Sequence, residues 1–424
     1  MRQCTTLDSG LRIVTERMDH VASASVGFYV RTGSSDERPD EGGISHFIEH
    51  LVFKGTAKRS ALDIVLAFDR VGGDVNAATE REITYYYGRV LGRHLPMAVD
   101  AIADMLACPK LAPEDIDLEL AVVAEEICQN EDSPAELVHD HFAATLWPGH
   151  PLGRPILGRV EALEALGREG LLDYLRRRYV AKNVTVSAAG DVHHDQVVEL
   201  VGELLDAKLP PGVDSAETPT PSSAGGVFCD ERDIEQVHLC VGVPAFAARD
   251  ERRLAQAVTD CALGGASSSR LFQEIREKRG LVYAVYSSVS LFLGIGNLVI
   301  YAGTRPENVP QVLELVSKEL DDVAHHGLTD TEVENAKEQY KGSTLMSLDS
   351  VHHRMARNAR GLIAFGRPIP AEELIARIDA VRPDDVRAVT AELFGSQGTT
   401  VVAIGPIRDG DLRAAAGSLI RASG

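Results

Sequence analysis

Gly43-Ile44-Ser45-His46-Phe47-Ile48-Glu49-His50-Leu51 is the stretch around which the chain is organised. It reads as a helix. On a 3.6-residue repeat His46 and His50 lie one turn apart on the same face. Two imidazoles so placed can bind one zinc ion. Glu49 lies near that face, three residues after His46, so its carboxylate can reach a water on the zinc. The alternative is a buried amphipathic helix with incidental histidines, which must be weighed in a chain holding 14 His. A third ligand, elsewhere in the sequence, decides between the two.

Working outward, 424 residues are too many for one ordinary core and imply two to three domains. The 44% hydrophobic and 25% charged content is that of a soluble globular protein. No run of 18 apolar residues marks a transmembrane helix. The opening Met1–Asp8 lacks the apolar core of a signal peptide. Cys4, Cys108, Cys128, Cys229, Cys240 and Cys261 form no Cys-x-x-Cys pair. Most lie in apolar segments, so reduced core cysteines and a cytoplasmic location are expected. A net charge of −20 argues against nucleic acid and anionic membranes as partners. It is compatible with neutral or basic peptides.

Residues 11–15 and 22–30 alternate and are rich in β-branched and aromatic residues, as strands are. Residues 31–43 form a loop that delivers the chain to the histidine helix. A helix is expected over 61–71, ended by Gly72-Gly73. Two adjacent strands follow, at 74–79 and 83–90. The first is short and small-residued; at a sheet edge it could pair with an extended peptide, or it is a simple hairpin strand. Helices are expected over 96–107, from Leu111-Ala112-Pro113 to about Glu131, and after Pro134, then a short one at 160–166 and a longer one at 168–179. A buried strand at 183–190 and a helix at 195–205 close this half. Residues 210–226, rich in Pro, Gly, Ser and Thr, read as a linker between a domain at 1–209 and one at 227–424.

The second half repeats the first in outline. Gly264-Gly265 answers Gly42-Gly43, Leu328–Glu332 answers Leu111–Asp115, and the strand ending at Gly405 answers the one ending at Gly190. Ser268, Leu271 and Phe272 then stand where His46, Glu49 and His50 stood. Aligned on helix starts, Ser343 answers Glu126. One half could bind metal and the other could not.

A catalytic zinc needs three protein ligands and an open position. The helix from Pro113 offers Glu119, Glu125 and Glu126, of which Glu119 and Glu126 share a face. His46-x-x-Glu49-His50 is the H-x-x-E-H order of the inverted zincins. Glu49 is expected as general base on a zinc-bound water, passing the proton to the leaving amine.

Together, Gly43–Thr56, Val71–Thr79 and Val122–Ile127 resemble the pitrilysin family of zinc peptidases. That family includes insulin-degrading enzyme, the mitochondrial processing peptidase and small bacterial relatives, and this chain looks most like a small bacterial relative of the processing peptidase's catalytic subunit. The resemblance implies one zinc per subunit, with Glu126 rather than Glu125 as third ligand and Glu119 supporting the site. It also implies peptide binding along Asp74–Thr79, with Asn76 and Ala77 as contacts. Ser269–Tyr283 resembles the family's C-terminal signature, which implies substrate contacts by Arg276 and Tyr283.

The fold so implied is α+β: two homologous halves, each a mixed or antiparallel sheet with helices on one face. The expected activity is that of a zinc metalloendopeptidase acting on short or unfolded peptides inside a closed chamber. The chamber is expected to be formed by a homodimer, with Arg276 and Tyr283 acting in trans. A non-catalytic scaffold or peptide-binding subunit of a heterodimeric peptidase is the alternative.

Overall fold

The computed structural model describes residues 1–212, 219–223, 225–395 and 398–420. Two compact units emerge, each built on one sheet. In the first, the strands are β1 (Arg2–Thr6), β2 (Arg12–Arg17), β3 (Ser23–Val30), β4 (Asp74–Thr79), β5 (Thr84–Leu91) and β6 (Val184–Gly190). Their order in space is β1-β2-β6-β3-β5-β4, with β2 and β6 parallel and the other pairs antiparallel. β4 therefore lies at an edge of the sheet.

The central strands are buried on both sides. Ala24, Val26, Phe28 and Val30 of β3 join one core with helices Ile44–Leu51, Leu95–Ala107 and His194–Val201. Tyr29 points the other way, as strand alternation requires, and packs with Met355, Ala359 and Ile363 of helix Val351–Phe365. Polar pairs fix that helix: Ser187 Oγ donates to the Met355 carbonyl at 2.8 Å, and Arg354 and Asn358 both bind Glu16. Most helices cover one face, as the sequence suggests, and this one covers the other.

The second unit has strands β7 (Gly226–Glu231), β8 (Val237–Ala245), β9 (Val282–Leu291), β10 (Gly296–Thr304) and β11 (Thr400–Gly405), ordered β7-β11-β8-β10-β9 with β7 and β11 parallel. Val401 and Ala403 of β11 face one core, and Val402 and Ile404 the other. The second face is covered by helix Pro134–Leu146, through Leu137, Val138, Phe142 and Leu146.

The units thus do not divide at one point. Residues 129–153 belong with the second unit and 346–369 with the first. A sheet apolar on both faces needs cover on both, and here one helix of each half supplies it to the other half's sheet. Of the expected linker 210–226, residues 213–218 and 224 lie outside the described residues. The cysteines are all free, but only Cys240 is buried; Cys4, Cys108 and Cys128 are exposed. Cys4 lies on an edge strand and Cys108 just past the end of an apolar helix, where neighbouring hydrophobicity does not imply burial. Among the described residues no helix is long and apolar enough to cross a membrane.

Candidate metal centre

Helix Ile44–Leu51 is held at its inner face and at its start. Ile44, Phe47, Ile48 and Leu51 are buried in the first unit's core. Each contributes about 1.5–3 kcal/mol, and together they fix the helix's rotation. His46, Glu49 and His50 occupy the face that remains. At the start, the buried Glu37 carboxylate accepts the N–H groups of Gly43 and Ser45, both at 2.9 Å. These are donors that the first turn leaves without helical partners. Burial pushes Glu37 up to about 7, although these two bonds pull it back. Gly43 has φ +95°, and a Cβ there would sit 2.5 Å from the Leu157 carbonyl, so only glycine fits.

Helix Pro113–Glu131 brings the third donor. Glu126 Oε2 lies 3.6 Å from His46 Nε2 and 3.5 Å from His50 Nε2. One donor atom from each of the three residues lies within 4.8 Å of the others. Such separations exceed hydrogen-bonding distance. They are close to the roughly 3.4 Å expected between ligands around a tetrahedral zinc with bonds of about 2.1 Å. Two imidazole nitrogens and a carboxylate oxygen also make a zinc-type donor set, so residues and group fit. Glu125 is exposed on the same helix.

Glu119, 5% exposed, accepts from or faces His50 Nδ1 at 3.2 Å and is paired on its other oxygen with Lys54. A carboxylate on the second nitrogen of a ligand histidine fixes which nitrogen points at the metal. His46 lacks this support: its Nδ1 is buried without a hydrogen-bond partner among the described residues. Burial, with the neighbouring His50, holds the His46 imidazole down to about 4, so it is neutral near pH 7 and free to ligate. Glu49 is raised, chiefly by burial, while a bond from Thr79 and the nearby His50 pull it back.

Asn76 and Ala77 lie on β4, which pairs only with β5 among the described residues. The Ala77 N–H donates to Asn76 Oδ1 at 2.8 Å. Arg276 and Tyr283 belong to the second unit. Arg276 is exposed, its guanidinium 4.7 Å from the Phe272 ring centre, and Tyr283 on β9 is 81% exposed. Sequence reasoning missed Glu37, Lys54 and Thr79. Lys54 could have been found, since it continues the four-residue spacing of His46 and His50. For Glu37 and Thr79 the sequence holds no comparable local signal.

Residues 12–160 match the family model described as insulinase, peptidase family M16, and residues 165–340 match that of the peptidase M16 inactive domain. The chain is 45% identical over 412 residues to an uncharacterized zinc protease of Streptomyces coelicolor, covering 96% of this chain and 90% of the relative. It is 36% identical over 392 residues to one of Bacillus subtilis, covering 92% and 95%. A solved peptidase M16 inactive domain from Pseudomonas fluorescens superposes with a TM-score of 0.89 at 20% identity, over 96% of this chain and 98% of that one. A protease from Helicobacter pylori does so with 0.88 at 22%, over 96% and 99%.

Proposed function

The chain belongs to the insulinase family of peptidases, M16, and from that premise we propose that it is a zinc-dependent endopeptidase acting on short or unfolded peptides. The observation that carries this reading is the convergence of His46 Nε2, His50 Nε2 and Glu126 Oε2 with Glu49 on the same helix face. His46, His50 and Glu126 would hold the ion. When bound, zinc supplies Lewis acidity toward a water and toward the scissile carbonyl.

The remaining work falls to this chain's side chains. Glu49 takes the proton of the attacking water and returns it to the leaving amine. Its burial raises its affinity for that proton, which suits a base that must later act as an acid. Glu119, backed by Lys54, keeps His50 oriented. Among the described residues β4 pairs only with β5, so its outer edge could take a peptide backbone as an added strand, a sequence-tolerant mode suited to unfolded substrates.

The reading extends to two copies enclosing the substrate, with Arg276 and Tyr283 of one copy meeting peptide at the site of the other, in the cytoplasm. The exposure of Tyr283 supports this; full activity in a chain that elutes as a monomer would contradict it. The activity itself is tested with Glu49→Gln and a quenched unfolded peptide. The variant is expected to keep zinc and lose turnover by about 10²–10⁴-fold. Parent-rate cleavage by the variant contradicts the assignment of the base. A wild-type chain that binds zinc and peptide but cleaves nothing favours a peptide-binding scaffold.

A further inference from the structure

We propose that Thr79 is a positioning residue that ties the peptide-binding edge strand to the base Glu49, so that the strand which registers the substrate also aims the group that activates water. The proposal rests on the peptidase reading above. Thr79 is the last residue of β4 and pairs with Thr84 of β5. Its hydroxyl donates to Glu49 Oε2 at 2.5 Å, a charge-assisted bond. Among the described residues this is the only hydrogen bond of the Thr79 side chain, and the other oxygen of Glu49 has no protein donor. One carboxylate oxygen is thus pinned and the second is left to take a proton.

The donor is itself well fixed. Thr79 is followed by a turn in which the Glu80 N–H donates to the Ile83 carbonyl at 2.8 Å. The Ser34 and Ser35 N–H groups reach back to the Glu80 and Arg81 carbonyls at 3.3 and 2.8 Å. Arg360 of helix Val351–Phe365 pairs with the Glu80 carboxylate. A β-branched side chain on so constrained a backbone has little choice of χ1. Glu49, by contrast, is a long flexible side chain whose rotamers would otherwise have to be frozen at each turnover. Holding it ahead of time is preorganisation. A peptide paired along β4 would be registered by the same strand that carries Thr79.

The test compares wild type, Thr79→Val and Thr79→Ser. Valine keeps the branch and volume and removes the donor; serine restores the donor. Zinc per chain, kcat and KM on one quenched unfolded peptide are measured for all three. The expected result for Thr79→Val is a fall in kcat of about tenfold or more, with KM within about twofold and zinc unchanged, and recovery of most of kcat in Thr79→Ser. An active wild type whose Thr79→Val variant matches its kcat contradicts the proposal alone. So does a variant that loses zinc in proportion to its activity, since the residue would then act on the stability of the site. A wild type that holds zinc and cleaves nothing contradicts the peptidase reading and takes this proposal with it.

Discussion

After Gly42-Gly43 the first half presents His46, Glu49 and His50 on the open face of a short helix; after Gly264-Gly265 the second half has Ser268, Leu271 and Phe272. Leu271 is fully buried in the second unit's core, and Phe272 packs against that core. Where the first half has Glu126, the second has Ser343, whose hydroxyl donates to the Tyr340 carbonyl. Ala336, in the register of Glu119, is a core residue. Both halves keep a mixed sheet with helices on both faces. The second unit thus uses apolar volume at Leu271, Phe272 and Ala336, while Ser268 and Ser343 are exposed. The polar cluster of the first half is an addition that the fold tolerates: Glu49 and His50 have side-chain partners, and His46, whose Nδ1 has none among the described residues, would bind a metal through Nε2.

The contrast breaks most sharply at the three proposed ligands. His50→Ala or Glu126→Gln should lower zinc, measured by elemental analysis, from about one per chain to near zero, and hydrolysis to background. If zinc stays at one per chain, the second half or another cluster holds it. A graft in the other direction should fail. Ser268→His with Leu271→Glu and Phe272→His adds no second zinc, because Ser343 offers no carboxylate. It should cost about 3–5 kcal/mol in a denaturant titration, since it removes core volume and buries an unpaired acid.

Smaller effects sharpen the picture within the first half. Glu119→Ala should weaken zinc binding about 10–100-fold in a chelator competition. Lys54→Met should weaken it less, because Lys54 reaches the site only through Glu119. In the zinc-free chain, His46 binds its proton near 4 when folded and near 6.5 when unfolded. Between those values the unfolded state holds more protons, so stability rises with pH across about 4 to 6.5 and is lost as acid is added. His46→Asn should flatten that part of the slope in urea midpoints measured through the window. An unchanged slope would mean that His46 is protonated in the folded chain.

The histidine helix was legible because helical spacing alone puts residues 46, 49 and 50 on adjoining faces. The paired halves were legible in repeated glycines and helix starts. Even the break at Gly167 was: two helices were expected around it, and helix Val160–Arg178 carries non-helical φ/ψ there. Glu126 was not separable from Glu125 by local pattern, since which carboxylate faces the imidazoles depends on how helix Pro113–Glu131 docks. The helices that cover the second faces were illegible for a related reason. An amphipathic stretch such as Val351–Phe365 announces that it needs an apolar surface, but not whose. Thr79 was read as part of a strand, and only the packed structure shows its hydroxyl on Glu49.

The most direct measurement is anomalous diffraction at the zinc edge from crystals of the full chain. A single peak per chain is expected among His46 Nε2, His50 Nε2 and Glu126 Oε2. No peak there, with zinc present in the crystal, or a peak at another cluster, would contradict the metal centre and the peptidase chemistry built on it.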